Sequence, residues 1–332
     1  MNEPIAMGVL STAHVHTDAY ASELAEREDV EFAGVTDRDS DRGQETAERH
    51  DTEYVADAGA LLERIDAAVI CAPNADHREW FERAAAAGVH VLCEKPLAPT
   101  LEDARAIVDV WQESGIRAGI TMPLRFCGPA QRAKETLDAG EVGDLLAISG
   151  TNRGQMPGGW FVDPKAAGGG AVMDHSVHIV DLVYHLTGQA VTEVYAEVGT
   201  RFHDIAVDDV NVLSMELADG TPFFLDGSWS KPDAWHTWGD ATLELTGTDA
   251  TVGIDYTDQS LVHTAESGSN AGVHTAFYGT NANAGLIEDF VSSVRADREP
   301  EITPDDGLLA VAVVEAAYES AETGEPVDVA FD

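Results

Sequence analysis

The stretch Val89-His90-Val91-Leu92-Cys93-Glu94-Lys95-Pro96 decides how this chain is read. Its apolar half reads as a short strand buried on both faces, the kind a parallel sheet contains. Lys95, one of four lysines in the chain, then falls at the carboxyl end of that strand, where open α/β sheets bind their ligands. Lysine shifts its pKa readily on burial, and its ammonium can hold a substrate hydroxyl while charge moves. A solvated loop lysine, held by Glu94 and ended by Pro96, is the alternative reading of the same residues.

Outward from this strand the pattern repeats. Strands are expected over Ile5–Leu10, Val30–Thr36, Ala67–Ala72 and Arg117–Thr121, with helical spacing over Ala19–Arg27, Trp80–Ala87 and Leu101–Glu113. Strand and helix in alternation imply a parallel, doubly wound sheet with its ligand at the carboxyl ends. From about Leu145 longer alternating runs take over: Val191–Thr200, Val210–Leu217, Thr221–Trp229, Ala241–Thr246 and Thr251–Ile254. Turn signals such as Asp219-Gly220 separate them, which predicts an antiparallel or mixed sheet in a second, α+β domain. Helices are expected over Leu286–Arg295 and Asp305–Glu322, and a long mobile loop over Ser267–Asn283. The predicted division is residues 1–124 and 125–332.

Sixty acidic residues stand against nineteen basic ones, a formal charge of -41. Such self-repulsion is relieved near molar salt, where the Debye length falls to about 3 Å. The expectation is a cytoplasmic protein of a salt-accumulating halophile. Nucleic acid and anionic membrane are excluded as partners because both repel this surface. An acidic disordered chain is excluded too, since 44% of residues are apolar and regular patterns fill the sequence. No basic leader precedes an apolar run, and no run approaches the length of a membrane span. Cys71, Cys93 and Cys127 have no metal-type spacing and cannot all pair; Cys71 and Cys93, at the ends of apolar strands, read as buried thiols.

After the first strand a dinucleotide fold would show G-x-G-x-x-G, which lets backbone approach a pyrophosphate. Ser11, Ala13 and His16 stand at those positions, so the fingerprint is eroded; Ser11, Thr12, Ala13 and His14 remain the cofactor candidates on this turn. Asp37-Arg38 ends the second strand. An acid there takes both ribose hydroxyls of NAD, and an arginine takes the 2′-phosphate of NADP. Cys71-Ala72-Pro73-Asn74 makes a sharp turn with His77 three residues on, both polar side chains facing one cleft. Local hydrogen bonding in a first helical turn is the other reading of His77.

In the second half Trp160 precedes Gly168-Gly169-Gly170, which lead into Asp174-His175-Ser176-Val177-His178. Three glycines let another group approach the backbone or make a flexible turn. Asp174 and His178 are four apart, so on a helix the carboxylate can orient the imidazole as a general base. Asp174, His178, Asp181 and His185 share that face, which makes a metal conceivable; no cysteine cluster or H-E-x-x-H supports one, and none is expected. Arg153, Trp160, Trp235, His236 and Trp238 are candidates to line a sugar site, or equally to pack a core or interface.

Taken together these residues resemble the glucose-fructose oxidoreductase, inositol dehydrogenase and rhizopine-catabolism family of NAD(P)-dependent oxidoreductases. The likeness is carried by Pro73-Asn74 with His77, Glu94-Lys95-Pro96, Arg125-Phe126, the Gly168–Gly170 run before Asp174 and His178, Asp289-Phe290, and Ala316-Ala317-Tyr318-Glu319-Ser320. The departures are Ser11, Ala13 and His16, and Met122-Pro123 before Arg125. The resemblance implies a Rossmann domain followed by an α/β domain whose open sheet builds homodimers or homotetramers. It implies NAD or NADP held by the first-domain residues above together with Glu94, Lys95 and Arg125. It also implies a sugar or polyol substrate contacted by Lys95, Asp174 and His178, with Arg153, Trp160 and His236 as the further candidates named above. In that pattern Lys95 touches substrate hydroxyl and nicotinamide side, His178 accepts the proton, and Asp174 supports it. A non-catalytic sensor of the same fold and an NAD-assisted glycosidase are the rival expectations.

Overall fold

The computed structural model describes residues 3–257, 260–265, 272–277, 279 and 281–331. The chain divides into two compact units: Met1–Pro123 with Lys165–Gly168 and Asn283–Val311, and Leu124–Pro164 with Gly169–Ala282 and Ala312–Asp332. Among the described residues no helix is long and apolar enough to cross a membrane.

In the first unit β1 (Ile5–Leu10), β2 (Val30–Thr36), β3 (Ala67–Ile70), β4 (His90–Cys93) and β5 (Ala118–Ile120) form one parallel sheet in the order β2-β1-β3-β4-β5. The doubly wound expectation holds. The strand pattern predicts β3 two residues longer, but at Cys71 the chain has already turned toward Pro73, which cannot donate to a ladder. Helices α1 (Thr17–Glu26), α2 (Ser40–Arg49), α3 (Ala58–Leu62), α4 (His77–Ala86) and α5 (Leu101–Ser114) connect the strands. The α5 boundaries follow from its ends: Thr100 Oγ1 accepts from the Asp103 N–H at 3.2 Å, and Gly115 adopts the left-handed φ of 72° that stops the helix. Met7, Val9, Val69, Ile70 and Val91 are fully buried, as strands covered on both faces require. The sheet order reverses between β1 and β3, and Ser11, Asp37, Cys71 and Glu94 all follow the carboxyl ends of its strands.

The second unit is built on a mixed seven-stranded sheet. Its strands are β6 (Leu145–Thr151), β7 (Val191–Gly199), β8 (Val210–Leu217), β9 (Pro222–Asp226), β10 (Thr242–Gly247), β11 (Thr251–Asp255) and β14 (Val327–Asp328), ordered β11-β10-β6-β9-β8-β7-β14. Only the β6–β9 pair within it is parallel. One face is apolar and buried, including Ile148, Val194, Leu213, Phe223 and Leu245. The other exposes Tyr195 and Phe224. Helices α6 (Gly128–Asp138), α7 (Pro164–Ala167) and α8 (Val177–Thr187) precede β7, and a five-residue π-helix, Val172–Ser176, leads into α8. A Cβ on Gly150 would lie 2.9 Å from Ile179 Cγ2, so glycine is what lets α8 sit down on β6.

Helices α9 (Ala282–Ala296) and α10 (Pro304–Thr323) bracket the helices expected near the end of the chain. Through Asn283–Val311 they belong largely to the first unit, which a single cut after residue 124 does not foresee. Within the tract expected as a loop, Ser267–Asn283, residues Gly272–Phe277 form β13 and pair antiparallel with β12 (Ser260–Ala265). Residues 266–271, 278 and 280 of that tract lie outside the described residues.

Candidate active site

The turn after β1 begins at Ser11, whose φ of 64° is the left-handed backbone that the first glycine of the fingerprint ordinarily takes. Its side chain and those after it converge on Asp37. Asp37 Oδ2 accepts from Thr12 N–H (2.5 Å), Thr12 Oγ1 (2.9 Å) and Ser11 Oγ (3.2 Å), while Oδ1 accepts from the Asp39 N–H at 2.7 Å. Arg42 completes the shell, its Nη2 2.6 Å from Oδ1 and its Nε 3.2 Å from Oδ2. Burial alone would raise this carboxyl's pKa, but the Arg42 guanidinium and the N–H donors outweigh it and hold the pKa low. Arg38 is elsewhere: it pairs with Asp76 at 2.9 Å and Glu79 at 2.6 Å and lies over the Trp80 ring. The arginine on Asp37 is therefore Arg42, which adjacency in sequence did not reveal. The signal was Asp39, whose N-cap bonds to Asp41 and Arg42 start α2 and turn Arg42 back toward the strand end.

On the turn after β3, Asn74 is buried, donates from Nδ2 to the Ala167 carbonyl at 2.8 Å, and leaves Oδ1 buried without a hydrogen-bond partner. His77 has a different fate. It is fully buried, with Nδ1 2.9 Å from the Pro96 carbonyl and Nε2 3.0 Å from that of Ala72. Desolvation pulls its pKa down, so the ring is neutral and donates to one carbonyl at a time. With both nitrogens turned to main chain, His77 joins the loops after β3 and β4, as the local hydrogen-bonding reading has it.

At the end of β4 Glu94 is fully buried and Lys95 nearly so, with a cis bond to Pro96. Glu94 Oε2 accepts from Thr121 Oγ1 at 2.7 Å and from the Lys95 N–H at 3.0 Å; Oε1 lies 2.9 Å from His16 Nδ1 and 3.3 Å from His14 Nδ1. Burial works to raise the Glu94 pKa, yet the imidazoles of His14 and His16 and the Lys95 ammonium hold it well below the usual carboxylate range. The solvated-lysine alternative is thereby removed. His16, in place of the third glycine, directly precedes α1 and sends its ring to Glu94. The left-handed Ser11, the acid closing β2 and the unsatisfied Asn74 Oδ1, which wants an N–H or O–H donor, together fit a bound dinucleotide.

In the second unit the glycine run is a matter of close approach. A Cβ on Gly169 would fall 2.1 Å from the Tyr318 hydroxyl, and one on Gly170 would fall 1.9 Å from the Asp208 carbonyl oxygen. Asp208 accepts from the N–H groups of Gly170 and Val172 at 2.9 Å each and from the Tyr318 hydroxyl at 2.8 Å. The approaching groups thus come from the chain itself.

The π-helix that follows carries Asp174, and its i→i+5 ladder departs from the α-helical spacing assumed for Asp174 and His178. Asp174 Oδ2 accepts from Trp229 Nε1 at 3.1 Å and lies 3.3 Å from His175 Nε2. Trp229 had no signal short of the fold, because 55 residues separate it from Asp174, whereas His175 stands next to Asp174 in the sequence. His178 is half-buried in the first turn of α8. Asp181, a conceivable metal ligand by spacing, is held by the buried Arg125 through Nε (2.9 Å) and Nη2 (2.5 Å). That pair buries Arg125 within the second unit.

Arg153 also has a carboxylate: Asp240 Oδ2 lies 2.8 Å from its Nη2 and 2.7 Å from Lys231 Nζ. Trp160 stacks on Phe161 at 3.8 Å, against a cluster containing Ala171, Val207 and Trp229. His236 is exposed beside Trp235, and Trp235 and Trp238 are exposed too.

A doubly wound sheet with an acid closing β2, joined in one chain to a mixed-sheet unit carrying an Asp-His helix start, defines a nucleotide-dependent oxidoreductase. Comparison with known proteins agrees. Residues 8–121 match the oxidoreductase family with NAD-binding Rossmann fold, and residues 130–253 match the GFO/IDH/MocA C-terminal domain. The chain belongs to this family and is an NAD(P)-dependent dehydrogenase acting on CH–OH groups. It is 27% identical to D-xylose 1-dehydrogenase (NADP(+)) 2 of Haloferax volcanii, over 97% of this chain and 99% of that one. It is 26% identical to D-glucoside 3-dehydrogenase of Escherichia coli, over 99% and 98%. Among solved structures, GenD2 from gentamicin A biosynthesis, in complex with NAD, superposes with a TM-score of 0.90 at 26% identity, covering 99% and 97% of the two chains.

The Asp240 cluster generates a pH prediction. Burial opposes the charged form, but Lys231, Arg153 and Thr151 pull the Asp240 pKa from 3.8 to about 2. A depressed carboxyl pKa stabilises the fold above the unfolded value and loses that contribution as pH falls from 3.8 through about 2. Asp240→Asn is expected to cost about 2 kcal/mol at neutral pH and to flatten the acid limb of the stability curve. Urea unfolding of both proteins down that limb measures it; parallel curves would refute the coupling.

Proposed function

We propose that the chain oxidises a secondary hydroxyl of a sugar, polyol or cyclitol. The observation that carries this reading is the buried Lys95 beside the buried Glu94 at the carboxyl end of β4. A bound nicotinamide supplies the hydride acceptor. Lys95 holds the substrate hydroxyl and lowers its pKa, and His178 takes the hydroxyl proton, assistance worth roughly 10²–10⁴-fold. Asp174, itself oriented by the Trp229 indole N–H, stabilises the imidazolium that results. The names of the xylose and glucoside dehydrogenases support carbohydrate as the substrate class. Neither the sensor nor the glycosidase alternative is favoured by these relatives.

The same reading extends to NADP in preference to NAD. Asp37 is already saturated by protein donors, Arg42 among them, so ribose hydroxyls must compete for it while a 2′-phosphate meets a cation. The NADP-linked name of the Haloferax volcanii relative supports this. We further propose self-association through the open sheet face of the second unit. Tyr195, Ser214, Phe224, Ser149 and Glu244 form one cross-strand row there, with Phe224 49% and Tyr195 37% exposed. An apolar face of this kind, amid so many acids, is what an interface between copies uses. The charge of -41 supports a salt-rich cytoplasm as the working environment.

Four measurements test these proposals. His178→Ala is expected to keep cofactor affinity and lose at least about a hundredfold in kcat on whichever sugar or inositol is turned over; near wild-type turnover would remove His178 from the chemistry. Arg42→Ala is expected to lower kcat/KM with NADP by about tenfold or more and leave NAD unchanged or improved; an unchanged ratio rejects Arg42 as the selector. Light scattering should find a dimer or larger species in molar KCl and a smaller one for Tyr195→Asp with Phe224→Asp, and turnover should rise with KCl. A wild-type monomer, or activity indifferent to salt, would overturn the corresponding proposal.

A further inference from the structure

We propose that His14, His16 and Glu94 form a binding site for one divalent cation of the zinc class, a property beyond the dehydrogenase reading. Glu94 presents Oε1 alone to the cluster, because Oε2 already accepts from Thr121 Oγ1 and the Lys95 N–H. His16 Nδ1 is 2.9 Å and His14 Nδ1 3.3 Å from that oxygen, and no two of the three atoms are more than 4.8 Å apart. A tetrahedral zinc with bonds of about 2.0–2.1 Å spaces its ligand atoms about 3.3 Å apart. Among the described residues this is the group of His, Cys, Asp and Glu that meets such a spacing.

Protonation strengthens the case. The His16 N–H donates to His14 Nδ1 at 3.2 Å, so that nitrogen carries a lone pair, the form that ligates a metal. His14 Nδ1 also faces Glu94 Oε1 at 3.3 Å, so a positive centre at that nitrogen, a proton or a metal ion, satisfies both groups. The outer groups suit a metal as well: Thr121 and the Lys95 N–H fix the carboxylate, as the partners of metal ligands do. The His14 side chain is 1% exposed and that of Glu94 0%, whereas His16 is 40% exposed, which gives the ion an entry side and leaves a fourth position for water. The ion would fasten the β1–α1 loop to the end of β4 where the fingerprint lacks its third glycine.

The test uses the full chain with no nucleotide or sugar present, so its failure leaves the dehydrogenase proposal untouched. Equilibrium dialysis against zinc in molar KCl with excess magnesium, followed by elemental analysis, should give one zinc per chain. His16→Ala, a change at a half-exposed position whose fold is checked by melting, should weaken binding by about tenfold or more. X-ray absorption at the zinc edge of the loaded wild-type protein should show two imidazoles and a carboxylate oxygen, a readout independent of any variant. Substoichiometric zinc, equal uptake by wild type and His16→Ala, or an all-oxygen shell from surface carboxylates would each overturn the proposal, leaving a shared proton as what holds the cluster together.

Discussion

A carboxylate with no exposure to water is the constraint on which the first unit depends. Desolvating an ion costs several kcal/mol, and an ion of this kind persists only when its lone pairs are taken up by donors and charge. Glu94 meets that condition with groups from three places: Thr121 after β5, the backbone of Lys95 after β4, and the imidazoles of His14 and His16 on the loop after β1. One side chain thereby ties together the carboxyl ends of three strands, the edge where a doubly wound sheet binds its ligand. It also keeps the Lys95 ammonium next to a fixed negative charge, which is why a lysine with 3% exposure can remain in the fold.

The second unit solves the same problem without a cation. Asp208 is buried and surrounded by N–H groups and the Tyr318 hydroxyl, and burial raises its pKa. A raised carboxyl pKa means the group supports the fold most when protonated and less as pH climbs past its unfolded value. The glycine run follows from this geometry. The Gly170 N–H can reach the Asp208 carboxylate only with the two backbones almost touching, at a separation that leaves no room for a Cβ. The π-helix begins directly beyond that contact, so the position of Asp174 is set by how Asp208 is satisfied.

Much of the architecture was legible because alternation and helical spacing are local. β1, β2 and β8 fall where the pattern puts them to the residue, and the change from a parallel to a mixed sheet was visible as a change of period. The site was legible only as residue types. Lys95, Asp37, Asp174 and His178 could be named, but their partners could not: Arg42 reaches Asp37 through a helix cap, Trp229 reaches Asp174 across the chain, and His77 turns both nitrogens to main chain. Each of these depends on backbone direction, which one-dimensional spacing does not encode. The π-helix is the sharpest case, since an i, i+4 argument presumes an α-helix that the segment does not form until Val177.

With nineteen basic residues among sixty acids, where the cations go carries information. Arg125 is spent on buried Asp181, Arg42 on buried Asp37, and Lys231 with Arg153 on partly buried Asp240. In each of these a charge out of water is met by a cation, because in low dielectric an unmet charge costs more than an ordering penalty. Glu94 and Asp208 are met in other ways. Beyond the Lys95 charge, the facing partners of Glu94 are the imidazoles of His14 and His16, which reach it from the loop after β1. A proton or a metal ion at their nitrogens would supply the positive charge that Glu94 faces. Where a dinucleotide fingerprint carries its third glycine, this loop instead carries His16 and its contact to Glu94.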